Sequence, residues 1–182
     1  MNTALLLVDI QNDYFPGGAM EVVGATAAAG HAASLLSAFR WRDRHVIHVQ
    51  HVAARAGATF FLPGTVGAEI HESVRPGPDE PIFRKHFPNS FRETPLLEHL
   101  RCAEVSRLVI AGMMTHMCID TTTRAAADLG FACYLAQEAC ATRALSFNGL
   151  RVPAESVQAA YLAALNGLFA KVLPTNELCA NL

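Results

Sequence analysis

Short, continuous apolar runs alternate along the chain with longer segments in which apolar residues recur every three or four positions. The short runs do not alternate with polar residues, which is typical of strands buried on both faces of a sheet. We predict strands at 4–9, 45–52, 82–83, 107–111, 131–135 and 171–173, and helices at 26–41, 90–100, 116–129 and 153–169. Strands that alternate with helices indicate an α/β fold, a three-layer αβα sandwich around a mostly parallel, Rossmann-like sheet. No repeat or linker interrupts the pattern, so we expect one domain over residues 1–182.

A long loop is predicted between the second and third strands. Residues 53–67 contain three glycines and a proline, which do not continue either a strand or a helix. Loops of this length inside a compact domain are usually functional. We therefore expect residues 53–67 to act either as a lid or as a contact between subunits.

A reactive side chain stands where several of the apolar runs stop. Asp9 closes the first strand, Lys85 follows the third, and Cys118 lies a few residues beyond the fourth. The carboxyl ends of parallel strands share one edge of the sheet, which is where α/β folds place their active sites. A lysine beside Asp9 would keep the carboxylate ionised and fix its direction, as a general base requires. Taken singly, Asp9 can also be a turn residue, and Lys85 a side chain that reaches from a strand edge to solvent.

The segment before Cys118 predicts an activated thiol. Thr115 stands where a helix N-cap belongs, after Gly112 and before the predicted helix, so its hydroxyl can accept a bond from the first turn. Cys118 is then near the positive end of the helix dipole, which should lower the pKa of its thiol. The backbone N–H groups of Met114 and Cys118 are the candidate oxyanion hole. The plainer interpretation, a small buried hydrophobe, is kept for the other four cysteines.

Composition and charge exclude several functions. Hydrophobic residues make up 52% of the 182 residues and charged residues 16%, as in a globular protein. A net charge of -2 and a pI near 6.4 give no reason to expect nucleic acid or a membrane as partner. The five cysteines form no C-x-x-C pair, so neither a disulfide framework nor a zinc knuckle is predicted. Free thiols favour a reducing compartment, and we expect the cytoplasm.

The eight histidines predict neither a metal site nor a histidine base. His48 and His51 are three apart on a predicted strand, so they point to opposite faces and cannot chelate together. His116 is two residues from Cys118 on a predicted helix, which directs the two side chains apart.

Three blocks of sequence resemble, in order, the isochorismatase-like superfamily, whose members are also called cysteine hydrolases. They are LLVDIQND at 6–13, Lys85 with the nearby Phe87 and the pair at 90–91, and GMMTHMC at 112–118. The resemblance spans essentially the whole chain and implies the isochorismatase-like hydrolase fold. It also implies that this chain forms homo-oligomers, as the family commonly does.

The resemblance assigns roles to particular residues. It implies a catalytic triad of Asp9, Lys85 and Cys118. It further implies a non-proline cis peptide bond between Met113 and Met114, which would aim the Met114 N–H at the oxyanion. Nicotinamidases of the family usually carry an aspartate–histidine metal cluster after the second strand. Residues 48–54 contain no carboxylate, so the resemblance predicts no metal here and argues against nicotinamidase activity.

The sequence therefore predicts a hydrolase that cleaves an amide or carbamoyl C–N bond of a small molecule through a thioester, without a cofactor. True isochorismatases lack the nucleophilic cysteine, and the presence of Cys118 favours C–N cleavage. Candidate walls of the substrate pocket are Tyr14, Phe15, Phe60, Phe61, Leu62, Phe87, Met114, Met117 and Phe147. Two alternatives remain open: an isochorismatase-type hydrolase of a non-amide bond that uses Asp9 without covalent catalysis, and a non-catalytic sensor in which Cys118 is oxidised.

Overall fold

The structure, a computed structural model, describes residues 2–181. Its strands are β1 (Asn2–Val8), β2 (His45–His51), β3 (Ile82–Lys85), β4 (Val105–Met113), β5 (Ala132–Ala141), β6 (Leu145–Phe147), β7 (Leu150–Val152) and β8 (Lys171–Leu173). Six of them form one sheet in the order β3-β2-β1-β4-β5-β8, and every neighbouring pair is parallel. The other two, β6 and β7, form a separate antiparallel hairpin. The carboxyl ends of the six parallel strands therefore meet at one edge of the sheet.

Helices cover both faces of this sheet. They are α1 (Ala25–Trp41), α2 (Leu96–Cys102), α3 (Asp120–Asp128), α4 (Ala154–Leu165) and α5 (Thr175–Ala180). Alternate residues of β1 pack into two hydrophobic cores, one on each face of the sheet, because successive side chains of a strand point to opposite faces. Leu5 and Leu7 pack with α1 and α5, whereas Leu6 and Val8 pack with α2, α3 and α4. The predicted three-layer α/β/α sandwich is confirmed.

The helices predicted at 90–100 and 153–169 are shorter in the structure. The helix predicted at 90–100 begins only at Leu96, because Pro95 precedes it and disfavours helical backbone at Thr94. The preceding residues form a turn, in which the Thr94 hydroxyl donates to the Ser90 carbonyl at 2.6 Å. The helix predicted at 153–169 ends at Leu165, and Gly167 follows with a φ of 98° that ends the helical path.

Two elements were not predicted from the sequence. One is the β6–β7 hairpin, whose turn places Asn148 and Gly149 at φ values of 48° and 77°. An Asn-Gly pair between two short apolar runs is a strong hairpin signal, so the sequence did contain the necessary information. The other is α5, which is only six residues long. Within residues 2–181, no helix is both long enough and apolar enough to cross a bilayer.

Candidate active site

The three reactive side chains expected at the strand ends meet in the structure. Asp9 follows β1, Lys85 is the last residue of β3, and Cys118 lies in a helical turn just after β4. The Lys85 Nζ lies 2.7 Å from Asp9 Oδ2 and 3.2 Å from the Cys118 sulfur. The side chains of Asp9 and Lys85 are both 0% exposed, and Cys118 is 5% exposed. An acid, an amine and a thiol thus share one buried cluster at the edge where α/β folds place their chemistry.

The backbone of β4 reaches the cluster because of one glycine. Gly112 has a φ of 138°, and a Cβ atom there would lie 1.9 Å from the Val8 carbonyl oxygen of the neighbouring strand. Any side chain at this position would therefore force β4 away from β1. The peptide bond that follows, between Met113 and Met114, is cis.

Asp9 is turned into the cluster by an unusual backbone conformation. Its φ is 53°, in the left-handed region that aspartate tolerates better than most residues. The Asp9 N–H donates to the Val49 carbonyl at 3.0 Å, so the main chain is still tied to β2 at this point. One carboxylate oxygen is held by Lys85, while Oδ1 is buried and receives no hydrogen bond from residues 2–181. Oδ1 is therefore the oxygen that is free to accept a proton.

The helical turn that carries Cys118 differs from the prediction. Residues Thr115–Ile119 form a wide π-type turn, and α3 continues from Asp120. Thr115 is not the N-cap: its hydroxyl donates to the Ala141 carbonyl at 3.2 Å, and Met114 holds the cap position without a side-chain bond. Cys118 still lies within the first turn, in which the Met117 and Ile119 N–H groups donate to the Met114 carbonyl at 3.0 and 3.3 Å. The Met114 N–H donates to no residue in the described part of the chain.

The prediction that the helix dipole lowers the pKa of Cys118 is wrong. Burial raises the pKa of this thiol well above its ordinary value, and the Asp9 carboxylate raises it further, although Lys85 opposes both effects. Burial by itself lowers the pKa of Lys85, but the neighbouring Asp9 and Cys118 outweigh it and raise that pKa. At rest the cluster therefore contains a thiol, an ammonium and a carboxylate. A thiolate in this cluster would require proton transfer within the site.

His51 is a fourth member of the cluster and was not among the site residues predicted from the sequence. Its Nδ1 lies 3.1 Å from the Lys85 Nζ. Burial lowers the pKa of His51 to about 4, and the Lys85 ammonium lowers it too, while Asp9 acts in the opposite direction. The imidazole is therefore neutral at physiological pH. The signal for His51 was available, because it is the last residue of β2, a position equivalent to that of Lys85 in β3.

The cluster has ligand-type atoms but does not fit a metal ion. One ligand atom each from Asp9, His51 and Cys118 lies within 4.8 Å of the others. However, the Lys85 ammonium is within 2.7, 3.1 and 3.2 Å of Asp9 Oδ2, His51 Nδ1 and Cys118 Sγ, respectively. A divalent cation at this point would face a buried positive charge at close range. The Lys85 ammonium is therefore the cation that these three ligand-type atoms surround.

Three of the predicted pocket residues form an aromatic group beside His51. The ring centroids of Tyr14 and Phe61 are 4.7 Å apart, those of Phe60 and Phe61 are 4.9 Å apart, and the His51 ring is 5.8 Å from that of Phe61. Burial, Cys118 and Asp9 all raise the pKa of Tyr14, so this phenol stays neutral. The Phe61 N–H donates to Asp13 Oδ2 at 2.6 Å, which ties the 53–67 loop to the chain just after β1. The loop thus packs against the cluster within one chain.

The other candidate pocket residues are spread over different places. Phe15 stacks on His71 with ring centroids 3.6 Å apart. Phe87 accepts a hydrogen bond from Lys85 at its carbonyl, and its ring lies under the Arg92 guanidinium. Met114 is buried, whereas three further candidates are exposed: Leu62, Met117 and Phe147, the last of them on the β6–β7 hairpin. The aromatic group, the Phe87 main chain and Met114, which caps the turn that carries Cys118, therefore adjoin the cluster.

Comparison with known proteins agrees with this architecture. The family model of the isochorismatase domain matches residues 3–177. The isochorismatase family protein YddQ of Bacillus subtilis, which is uncharacterised, is 50% identical over 175 residues, covering 96% of this chain and 97% of YddQ. A solved structure from Oleispira antarctica, named for the isochorismatase hydrolases, has a TM-score of 0.95 at 49% identity and covers 98% of this chain and 96% of its own.

One of the more distant relatives is named for an enzymatic activity. Nicotinamidase 3 of Arabidopsis thaliana is 30% identical over 147 residues, which cover 76% of this chain and 73% of that protein. Its similarity is lower than that of YddQ, but it spans most of both chains. Together with the match of the family model to residues 3–177, these similarities show that the chain belongs to the isochorismatase family.

Proposed function

We propose that this protein is a cysteine-dependent hydrolase that cleaves an amide or carbamoyl C–N bond of a small molecule. The observation that carries the proposal is the buried contact of the Lys85 ammonium with both the Asp9 carboxylate and the Cys118 sulfur, at 2.7 and 3.2 Å. A nucleophile beside a base that a third group orients is the arrangement needed for covalent catalysis. The similarity to a nicotinamidase supports an amide bond as the target.

The first step forms the nucleophile and attacks the carbonyl. Asp9 Oδ1, the oxygen not held by Lys85, accepts the thiol proton as the Cys118 sulfur bonds to the carbonyl carbon. The electron pair of the C=O bond moves to its oxygen, which the N–H groups of Met114 and Cys118 are positioned to stabilise. Because burial disfavours a free thiolate, proton transfer and attack are expected to be coupled. Lys85 stays protonated and offsets the negative charge throughout.

The second half of the reaction releases both products. The tetrahedral intermediate collapses, the C–N bond breaks, and protonated Asp9 gives its proton to the departing nitrogen, which leaves as ammonia or an amine. A water molecule then attacks the thioester while Asp9 accepts its proton. The C–S bond breaks, the acid is released, and Asp9 returns the proton to the Cys118 sulfur. No redox partner is required for this sequence of steps.

The test is an ammonia-release screen over primary amides, carbamoyl compounds and ureides, run beside ester and aldehyde assays. Cys118→Ala is expected to lower kcat by at least about 10³-fold, because the covalent route is lost. Cys133→Ala is the matched control, since Cys133 is also 5% exposed but lies in the hydrophobic core, where its thiol donates to the backbone carbonyls of Phe131 and Thr123. Intact mass spectrometry of the quenched wild-type reaction should detect an acyl adduct on Cys118.

Two results would contradict the proposal. One is turnover by Cys118→Ala at a rate close to that of Cys133→Ala, which would remove the covalent route. The other is activity confined to the ester or aldehyde assays, which would favour a hydrolase of a non-amide bond. A stable circular dichroism spectrum of each variant is needed to show that the substitutions leave the fold intact.

A further inference from the structure

The Lys85 ammonium has more acceptors around it than it has protons to give. Four atoms lie within hydrogen-bond distance of Nζ: Asp9 Oδ2 at 2.7 Å, His51 Nδ1 at 3.1 Å, the Phe87 carbonyl at 3.1 Å and the Cys118 sulfur at 3.2 Å. An ammonium has three N–H donors. At any moment one of the four acceptors is therefore left without a donor. The sulfur has the longest distance and is the weakest acceptor while it remains a thiol.

His51 is held in place on its main-chain side. Gln11, which is 0% exposed, accepts a hydrogen bond from the His51 N–H at 2.8 Å and donates to the His51 carbonyl at 2.8 Å. Gln11 also donates to the Ala68 carbonyl at 2.7 Å, so the same side chain links the end of β2 to the segment after the 53–67 loop. The His51 ring packs beside Phe61. The position of Nδ1 at Lys85 is therefore built into the fold.

The chemistry of the contact defines the state of the imidazole. An ammonium can only donate, so His51 Nδ1 must accept and the ring proton must be on Nε2. The charged or titratable groups that face His51 are Asp9 after β1, Lys85 and His86 at the end of β3, and the nearby Cys118. Burial and the positive charge of the Lys85 ammonium oppose protonation of the ring and outweigh the opposite effect of Asp9, which agrees with a neutral imidazole.

We propose that His51 is a positioning residue. Its Nδ1 accepts a hydrogen bond from one of the three N–H groups of the Lys85 ammonium, so that this N–H group does not donate to the Cys118 sulfur. The ammonium is then directed to Asp9, the His51 ring and the Phe87 carbonyl, and the sulfur remains a thiol until Asp9 accepts its proton. This inference deepens the proposed function and rests on it, since it treats Cys118 as the nucleophile. It assigns His51 no contact with the substrate.

The test measures the alkylation rate of Cys118 by iodoacetamide at about pH 8, with no substrate present. In His51→Leu the freed N–H can donate to the thiolate, which should lower the pKa of Cys118 by about one unit. The thiolate fraction then rises about tenfold, and because a less basic thiolate is a weaker nucleophile, the net rate should rise about threefold. In His51→Asn the amide oxygen can take the place of Nδ1, and the rate should return to within about twofold of the wild-type value.

The Lys85→Met variant distinguishes the redistribution of ammonium N–H groups from easier access of iodoacetamide to Cys118. In Lys85→Met there is no ammonium proton to redistribute, so adding His51→Leu should leave the alkylation rate unchanged. An equal acceleration in both backgrounds, or no acceleration by His51→Leu in the wild-type background, would overturn the proposal. A residue with only a structural role would lower the melting temperature of the variant without this dependence on Lys85.

The wild-type protein provides an independent measurement if His51→Leu does not fold. Nitrogen-15 spectra of histidine-labelled protein, assigned with His51→Asn, should show His51 as the neutral tautomer with its proton on Nε2 at about pH 7. A proton on Nδ1, or a doubly protonated ring, would overturn the proposal. Since no amide is used in either experiment, the role of His51 can fail while amide hydrolysis stands, and the reverse can also occur.

Discussion

Replacing Lys85 by methionine tests the most consequential contact in the protein. Methionine keeps most of the aliphatic stem but removes the ammonium. Asp9 is 0% exposed, and its Oδ2 would lose the donor that now lies at 2.7 Å. The other oxygen, Oδ1, has no donor among residues 2–181 in the wild-type protein. The variant would therefore leave a carboxylate buried without a cation.

The expected loss of stability is large. Removing one partner of a buried ion pair costs about 3–5 kcal/mol, because the remaining charge is uncompensated. This is a substantial fraction of the roughly 5–15 kcal/mol that stabilises a typical domain. Asp9→Asn combined with Lys85→Met removes both charges. We expect this double variant to be more stable than Lys85→Met alone, since no buried charge remains.

Urea unfolding at about pH 7.5, followed by circular dichroism, measures each free energy of unfolding. The m-value checks that the variants unfold in the same way as the wild type. A loss below about 1 kcal/mol at neutral pH, the range of an exposed pair, would refute the burial of this ion pair. A double variant no more stable than Lys85→Met would refute the role of an uncompensated Asp9 charge.

Two further predictions concern other parts of the fold. Burial by itself raises the pKa of Glu80, but hydrogen bonds from the Arg40 guanidinium, the Gly77 N–H and His48 lower it to about 2. The wild type should therefore lose stability as pH falls from the ordinary value of 4.5 towards 2, and thermal melts of Glu80→Gln should lack that part of the loss. Gly112→Ala should destabilise the protein by more than about 4 kcal/mol or prevent folding, because the new Cβ would lie 1.9 Å from a backbone oxygen. Gly130→Ala, at a φ of 92° with nothing within 4 Å, should cost only about 1–2 kcal/mol, and equal losses in the two glycine variants would contradict the steric argument.

Much of this architecture follows from local patterns. Continuous apolar runs and the helical spacing between them predict a parallel sheet covered on both faces, because burial on two faces leaves no polar positions in a strand. Because the strands of such a sheet are parallel, their carboxyl ends all lie at one edge. Asp9, Lys85 and Cys118 were therefore identifiable from where the apolar runs stop. His51 ends β2 in the same way, so its position at a strand end was the signal that would have identified it.

Two further features are encoded locally but were not predicted correctly. The Asn148–Gly149 turn encodes the β6–β7 hairpin, and Pro95 encodes the late start of α2. Both signals act through backbone conformation within a few residues, so no tertiary contact was needed to find them.

The sequence by itself determined the fold class and the candidates for the reactive edge, because apolar periodicity and chain topology depend on order along the chain. Only the tertiary structure decided the electrostatics of the site. The helix start at Cys118 favours a lowered thiol pKa, but burial and the Asp9 carboxylate raise it, and both arise from segments that are distant in sequence. The tertiary structure likewise sets the four acceptors around Lys85, because the distances between these atoms exist only once β1, β2, β3 and the turn after β4 have been packed together.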